Sequence, residues 1–311
     1  TINAMAYNEV EGLIDIYGGM ADLEAGIIRC VGNPEDRFDE DALRILRAVR
    51  FSAQLGFDIE ENTKKAIVAK AEFLKDISAE RIQVELTKLL VSRHPEKLID
   101  AYDMGITDII LPEFNAMMET PQNNMYHMYD VGRHSIEVVK AIESTPVLRW
   151  AALLHDIAKP ATRSIGEDGI DHFYGHNVAG VDMAAAVLKR SKLDNKTIDR
   201  VKRLVEWHDF ALSEIPAKKS FRRSLSRMGT DLFDDYVKIK RADIAGQSDF
   251  GREKKLEIIA GIEKLYEEIV EEQNCLSVKD LAIDGNKLIE LGIKPGPHMK
   301  TIFNKLLDMV L

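Results

Sequence analysis

Cysteine is scarce in this chain: Cys30 and Cys275 are the only two among 311 residues. They lie far apart and lack the short spacing of a metal-ligand pair. A disulfide-built scaffold is therefore excluded, and a reducing compartment is expected. Long apolar runs are missing too. No stretch approaches the length that spans a bilayer, and no signal peptide is visible, which points to the cytoplasm and away from a membrane. There is no low-complexity segment and no clear internal repeat. Positive charge is not in excess either: 42 Lys and Arg stand against 52 Asp and Glu, a net charge of −10. That balance excludes a protein that coats nucleic acid nonspecifically, but it leaves room for a local basic surface. What remains is a composition of 45% hydrophobic and 30% charged residues. Such a chain is expected to fold into roughly two to four compact globular units.

The sequence opens at Thr1 and runs straight into Ile2-Asn3-Ala4-Met5-Ala6-Tyr7, with no capping or turn sequence ahead. An upstream segment outside this sequence is expected. Residues 1–31 carry short apolar runs around Gly12, Gly18-Gly19 and Gly26, a strand-turn-strand pattern. Helical patterning follows from Pro34. Asp39-Glu40-Asp41 is expected to open a helix whose apolar face is built by Leu43, Leu46 and Val49 and which stops at Gly56. Further helices are expected at 61–75, 79–92 and 95–104. Pro112, Pro121 and Gln122-Asn123-Asn124 mark a boundary near 112–125. A charged helix from Lys254 to Glu272 and a last helix after Pro297 close the chain. The fold class expected is mainly α. It divides into a short β-containing N-terminal piece (1–31), a helical neck and body (32–125), a helical domain (126–251) and a helical tail (252–311).

Four histidines form a spaced series with carboxylates: His134, His155-Asp156, His176, His208-Asp209, and finally Asp243. The centre reads Trp150-Ala-Ala-Leu-Leu-His155-Asp156-Ile-Ala-Lys159-Pro160, an apolar helical run ending in a potential ligand pair. An adjacent His-Asp at a helix end offers a nitrogen and an oxygen to one ion, and imidazole with carboxylate suits a divalent metal. Metal-bound water is the usual nucleophile for phosphate-ester hydrolysis near neutral pH. His176 and His208 could hold a second ion or touch the phosphate. Lys159 adds positive charge against an anionic substrate. Any one of these histidines alone reads more simply as a solvated or hydrogen-bonded surface residue; the ordered set reads as a metal centre. His94, His172 and His298 keep the simpler reading, and His127 stands at the periphery.

The series resembles the HD phosphohydrolase superfamily, whose pattern of a histidine, a His-Asp doublet and a distant aspartate is matched by His134, His155, Asp156 and Asp243. Arg241-Ala-Asp243-Ile-Ala-Gly246 resembles the context of the final aspartate. The resemblance implies an all-helical domain hydrolysing a phosphomonoester or phosphodiester. It also implies one or two divalent ions (Mg, Mn, Ni or Fe), with His155, Asp156 and Lys159 as catalytic residues. His176 and His208 resemble the extra histidines of two-metal members.

A second constellation is Arg37-Phe-Asp-Glu40-Asp41-Ala-Leu-Arg44-Ile-Leu-Arg47-Ala-Val-Arg50-Phe51. On one helix, Asp41 and Arg44 would be neighbours at i, i+3 and could match the donors and acceptors of a base edge. Arg47 and Arg50 follow at steps of three and could reach triphosphate oxygens. An ordinary salt-bridged surface helix is the plainer reading of such a pattern. The stretch resembles the body of the bacterial CCA-adding enzymes, tRNA nucleotidyltransferases of the poly(A) polymerase type. In that family a Glu-Asp-x-x-Arg helix selects CTP or ATP. Glu40, Asp41 and Arg44 match it, and Arg47 and Arg50 match the basic positions after it. Thr1-Ile2-Asn3-Ala4 resembles the end of another family segment and brings Asn3 into the nucleotide-binding set. Asp15-Ile-Tyr-Gly-Gly19 and Asp22-Leu23 resemble its closing strand and turn. The resemblance covers roughly residues 1–115, and makes residues 1–31 the remnant of a nucleotidyltransferase head.

The family's polymerising chemistry rests on a Gly-Ser loop and paired aspartates that bind magnesium. Neither is in this sequence, and Asp15 and Asp22 lack the paired spacing. Lys218, Lys219, Arg222 and Arg223 form a basic island suited to RNA phosphates. A solvated helix face is the alternative there. The turn Gly292-Ile-Lys-Pro-Gly296-Pro297 leads into a helix whose amide end could meet a phosphate, and resembles the family's tRNA-hugging tail. The expected partners are tRNA, CTP and ATP, with a homodimer as a further expectation and no membrane. The expected function is addition or repair of the 3′-terminal CCA of tRNA, with an attached HD phosphohydrolase. Two other readings stay open: a stand-alone HD phosphodiesterase or phosphatase, and a non-catalytic tRNA-binding scaffold.

Overall fold

The computed structural model describes residues 4–211, 213–272 and 275–311. Eighteen helices and three two-stranded sheets are present among them. Strands β1 (Ala6–Asn8) and β2 (Gly12–Ile14) pair antiparallel as a hairpin, and α1 (Gly19–Ala25) follows. Strand β3 (Ile27–Ile28) pairs parallel with β4 (Asp58–Ile59), closing around α2 (Pro34–Glu40) and α3 (Leu43–Leu55). The body continues through α4 (Glu61–Lys70), α5 (Ala79–Leu90), α6 (Lys97–Asp103), α7 (Thr107–Ile110) and α8 (Pro112–Met118). The bundle bearing the histidine series comprises α9 (Val131–Ala141), α10 (Pro146–Leu154), α11 (Lys159–Thr162), α12 (His176–Arg190), α13 (Asn195–Trp207), α14 (Lys218–Met228) and α15 (Phe233–Gly246), the series itself lying on α9, α12 and α15 and just after α10 and α13. A hairpin of β5 (Ser164–Ile165) and β6 (Asp171–His172) interrupts this set. Helices α16 (Arg252–Glu271), α17 (Gly285–Glu290) and α18 (His298–Val310) form the tail. None is long and apolar enough to cross a membrane.

Local signals explain the boundaries near the sites. Asn33 caps α2 by accepting from the Glu35 amide, and Pro34 occupies the first helical position, where its missing N–H costs nothing. The helix expected to open at Asp39-Glu40-Asp41 is two helices. Asp41 is extended (φ −158°, ψ 100°), and its carboxylate accepts from the Leu43 amide at 3.1 Å. A short acidic side chain that satisfies a free amide ends one helix and starts the next. Gly56 terminates α3 at φ 72°, a left-handed conformation that disfavours a Cβ. The helix expected over 61–75 ends at Lys70 and tightens into a 3₁₀ turn over Ala71–Asp76.

One apolar core runs from the body into the histidine-bearing bundle. Trp150 on α10 is fully buried, and its indole N–H donates to the Thr87 hydroxyl of α5 at 3.0 Å. Arg50 of α3 and Glu85 of α5 form a buried ion pair. Arg190 of α12 makes two bonds, at 2.8 and 2.7 Å, to Glu113 of α8. The two halves are thereby joined by packing and by charge.

Candidate metal centre

Apolar periodicity carries the histidines inward. Val131, Ile136, Val138 and Val139 of α9 are buried and bring His134 with them. On α10 every residue from Leu148 to Leu154 is buried, so the helix delivers His155 and Asp156 at its C-terminal end into the interior. Helix α15 presents Asp243 from its last turn. Gly246 lets α15 approach α9 closely. A Cβ there would stand 3.1 Å from Val138 Cγ2, and the Gly246 carbonyl meets His134 Nδ1 at 3.2 Å.

All four histidines share one orientation. His134 Nδ1 faces the Gly246 carbonyl, His155 Nδ1 that of Ala152, His176 Nδ1 that of Phe173 and His208 Nδ1 that of Val205, the last three at 2.7 Å. A carbonyl only accepts, so each Nδ1 carries a proton, which leaves Nε2 as the atom that can ligate a cation once it is unprotonated. Those Nε2 atoms converge. His134, His155 and Asp156 each bring one ligand atom within 4.8 Å of the others, and so do Asp156, His176 and His208. Asp243 Oδ1 lies 3.0 Å from His134 Nε2 and 3.9 Å from His155 Nε2. Asp156 belongs to both groups: its Oδ2 is 3.1 Å from His155 Nε2, and its Oδ1 is 3.2 Å from His176 Nε2 and 3.5 Å from His208 Nε2.

His176 Nε2 and His208 Nε2 lie within hydrogen-bond distance of each other, at 3.2 Å. His134 Nε2 and His155 Nε2 are buried and lack hydrogen-bond partners. Unpartnered lone pairs aimed at a common point cost free energy unless a cation accepts them. The titration behaviour agrees. Burial opposes charging His176, yet Asp156 and Asp209 outweigh it and push its pKa up to about 10. Burial likewise opposes ionising Asp156 and Asp243, yet the adjoining imidazoles and lysines hold both carboxyls well below the usual range. The centre thus holds ionised carboxylates that favour a positive charge beside them, and two imidazole-carboxylate sets fit one or two divalent ions.

Outer contacts fix the ligands in place. Lys159 Nζ lies 2.7 Å from Asp156 Oδ2 and donates to Gln122 Oε1 at 2.8 Å. Gln247 donates to Asp243 Oδ1 at 2.9 Å, and Lys255 of α16 donates to Gln247. Lys240, buried on α15, donates to the His208 carbonyl at 2.9 Å. Above the centre opens a cavity of about 690 Å³. Tyr126, Phe173, Tyr174 and Phe250 supply its apolar walls, with Lys254 and Lys255 among its lining.

The structure thus brings His134, His155, Asp156, Lys159, His176, His208 and Asp243 together. His127 stacks edge-on against His134, and burial and nearby cations push its pKa down to about 3. His172, left out by sequence reasoning, lines the cavity and stacks on Tyr174. His94 pairs with Glu96, and His298 lies exposed at the start of α18. Asp209, of the second His-Asp doublet, also lines the cavity. Gln122, Lys240, Gln247 and Lys255 support the centre although no local sequence pattern marks them.

The residues of the expected nucleotide-selecting helix divide. Asp41 and Arg44 are not paired on one face: Arg44 bonds Glu40 at 2.6 Å, while Asp41 bonds Arg81 of α5 at 2.8 Å. The break at Asp41 turns its carboxylate towards α5. Glu40, Asp41 and Arg81 line a cavity of about 700 Å³ with Phe73 and Ile77. Arg47 is exposed, whereas Arg50 is buried against Glu85 and Gln54 and so does not join Arg44 and Arg47 at the surface. Asn3 lies outside the described residues. Asp15 caps α1 through the Gly19 and Met20 amides, and Asp22 is buried and pairs with Arg29. In the basic island, Lys218 bonds Glu272 and Arg222 reaches the Val310 carbonyl at 3.2 Å, leaving Lys219 and Arg223 exposed.

Residues 124–280 match the HD domain family. Residues 56–118 match the family described as the probable RNA and SrmB-binding site of polymerase A. Over 99% of its length the chain is 28% identical to the A-adding tRNA nucleotidyltransferase of Deinococcus radiodurans, covering 72% of that protein. Over 67% of its length it is 35% identical to the multifunctional CCA protein of Neisseria gonorrhoeae, covering 51% of it. The chain therefore spans about half the length of some curated relatives it matches. The Bacillus stearothermophilus CCA-adding enzyme, solved in complex with CTP, shares the fold over the whole chain. Its TM-score is 0.62 at 25% identity, with 67% of that structure covered.

Proposed function

This chain belongs to the HD domain family, among the bacterial CCA-adding enzymes, and from that premise we propose two activities. The chain's own chemistry is metal-dependent hydrolysis of a phosphoester at the His-Asp centre. Its second role is to select nucleotides and hold tRNA within a nucleotidyltransferase that adds or repairs the 3′-terminal CCA from CTP and ATP. The names of the Deinococcus and Neisseria relatives support the second role. A single observation carries the first: the Nε2 atoms of four imidazoles converge on the carboxylate of Asp156 in two sets beside an open cavity, and those of His134 and His155 are buried without hydrogen-bond partners.

His134, His155, Asp156 and Asp243 would hold one divalent ion, and Asp156, His176 and His208 a second. When bound, such an ion supplies Lewis acidity and an acidified water. The remaining work falls to the chain. The four backbone carbonyls keep each imidazole in its ligating tautomer. Lys159 anchors Asp156 and sets a cation beside the place of an anionic substrate oxygen. Lys254 and Lys255 add positive potential at the cavity, and the aromatic walls limit water.

In the transferase, Asp41 and Arg44 would face the incoming base, which requires Asp41 to exchange Arg81, and Arg44 to exchange Glu40, for that base. Arg47 is available for phosphate. Lys219, Arg223 and the exposed face of the tail would meet tRNA. Magnesium for that reaction belongs to carboxylates of a nucleotidyltransferase head, because Asp15 and Asp22 are engaged structurally.

Incubating the chain with Mg²⁺, Mn²⁺, Ni²⁺ or Fe²⁺ and a panel of phosphomonoesters and phosphodiesters tests the hydrolytic role. Turnover should vanish in His155→Ala and Asp156→Asn. Absence of turnover with every metal would exclude that role. In a protein joining this chain to a nucleotidyltransferase head, Asp41→Ala or Arg44→Ala should scramble the choice between CTP and ATP, and unchanged selectivity would exclude the assignment.

A further inference from the structure

The pair His-Asp occurs twice at matching places, as His155-Asp156 and as His208-Asp209. Each histidine caps the C-terminus of its helix, α10 or α13, with nearly the same backbone angles (φ −57°, ψ −36° and φ −57°, ψ −30°). Each turns Nδ1 onto the carbonyl three residues back at 2.7 Å. The two rings meet edge to face with centroids 5.1 Å apart. The local structure of the doublet is thus repeated on two sides of one centre.

The aspartates differ in surroundings. Asp156 is buried between the two histidine pairs. Asp209 stays a quarter exposed and lines the cavity, with Oδ2 3.0 Å from His176 Nε2 and Oδ1 3.5 Å from His208 Nε2. Without Asp209 the two donor sets are unequal. His134 and His155 have Asp243 and a share in Asp156, whereas His176 and His208 have only the share in Asp156.

Resting on the two-ion reading above, we propose that Asp209 is a direct ligand of the second cation position. Each position is then held by two imidazoles, one carboxylate of its own and the shared Asp156. The charge supports this division. A divalent ion in a largely buried site needs anionic ligands close by, and half a share in one carboxylate leaves it undercompensated. Lys240, by holding the His208 carbonyl, fixes the doublet from behind as outer contacts of metal ligands do.

Metal-stripped protein titrated with Mn²⁺ reads the assignment through stoichiometry, affinity and the electron paramagnetic resonance of a coupled pair. Wild type is expected to take up two ions with a coupled signal. Asp209→Asn keeps the size of the side chain and should leave the first ion unchanged. The second should weaken by more than the roughly ten- to hundred-fold that loss of an outer contact costs, the coupled signal giving way to that of isolated Mn²⁺. Wild-type affinity for both ions in this variant, with the second lost in His176→Ala, overturns the assignment and leaves the two-ion reading intact. A wild type that saturates at one ion or none overturns both. Should Asp209→Asn lose its helical circular dichroism, Asp209→Glu decides. A changed affinity for the second ion alone supports direct ligation, and unchanged affinity for both refutes it.

Discussion

Arg50 separates the sequence pattern from the tertiary structure, and its removal makes a quantitative test. In sequence it continues a run of arginines that could reach a triphosphate. In the structure its guanidinium and the Glu85 carboxylate are each only 10% exposed and pair with one another. Gln54 accepts a second bond at 2.6 Å, and the Phe51 ring lies 3.9 Å below. Breaking a buried pair by truncating one partner costs about 3–5 kcal/mol, because the other charge stays buried. The lost ring contact adds about 1 kcal/mol when Arg50 is the residue removed. Against a total stability on the order of 5–15 kcal/mol, that is a large share. Urea unfolding followed by helical circular dichroism measures the two truncations, Arg50→Ala and Glu85→Ala. The exposed control Arg47→Ala should stay within about 0.5 kcal/mol of wild type. The apolar pair Arg50→Met with Glu85→Leu should recover most of the loss. If Arg50→Ala costs under about 1 kcal/mol, or the double variant is no better than the singles, Arg50 is not the structural residue described here.

Lys159→Met should keep bound metal but lower hydrolysis by about ten-fold or more, as expected for loss of one positioned charge at a reacting phosphate; metal analysis beside the rate distinguishes this from a collapsed centre. Metal uptake near pH 7 should release protons, since His176 must be neutral to ligate although its carboxylate neighbours hold it protonated against burial. Calorimetric heats that do not vary with buffer ionisation enthalpy would contradict this. Burial alone would raise the Glu113 carboxyl, but the bidentate Arg190 holds it below its ordinary value. A depressed folded pKa stabilises above about pH 4.3, and that stability is lost as pH falls through the folded value. Arg190→Ala should therefore cost about 1 kcal/mol at pH 7 and little in acid, and a uniform loss at both pH values would refute the pairing.

The sequence by itself marked most helical segments and their apolar faces, because apolar spacing is a property of the chain alone, but not the breaks at Asp41 and Lys70. It also marked candidate metal ligands, an ordered set of imidazoles and carboxylates, and His134, His155, Asp156, His176, His208 and Asp243 do converge. Three things waited for the tertiary structure. The shared place of Asp156 between two histidine pairs depends on how α9, α10, α12, α13 and α15 cross. The supporting residues Gln122, Lys240, Gln247 and Lys255 come from distant segments and have no pattern of their own. The arginine run misled most. A step of three looks like one functional face, but the break at Asp41 and the packing of α3 on α5 divide it into Arg44, held by Glu40, an exposed Arg47 and a buried Arg50. A charge pattern records which residues share a helix, and only packing decides which of those charges meets water and which meets a partner.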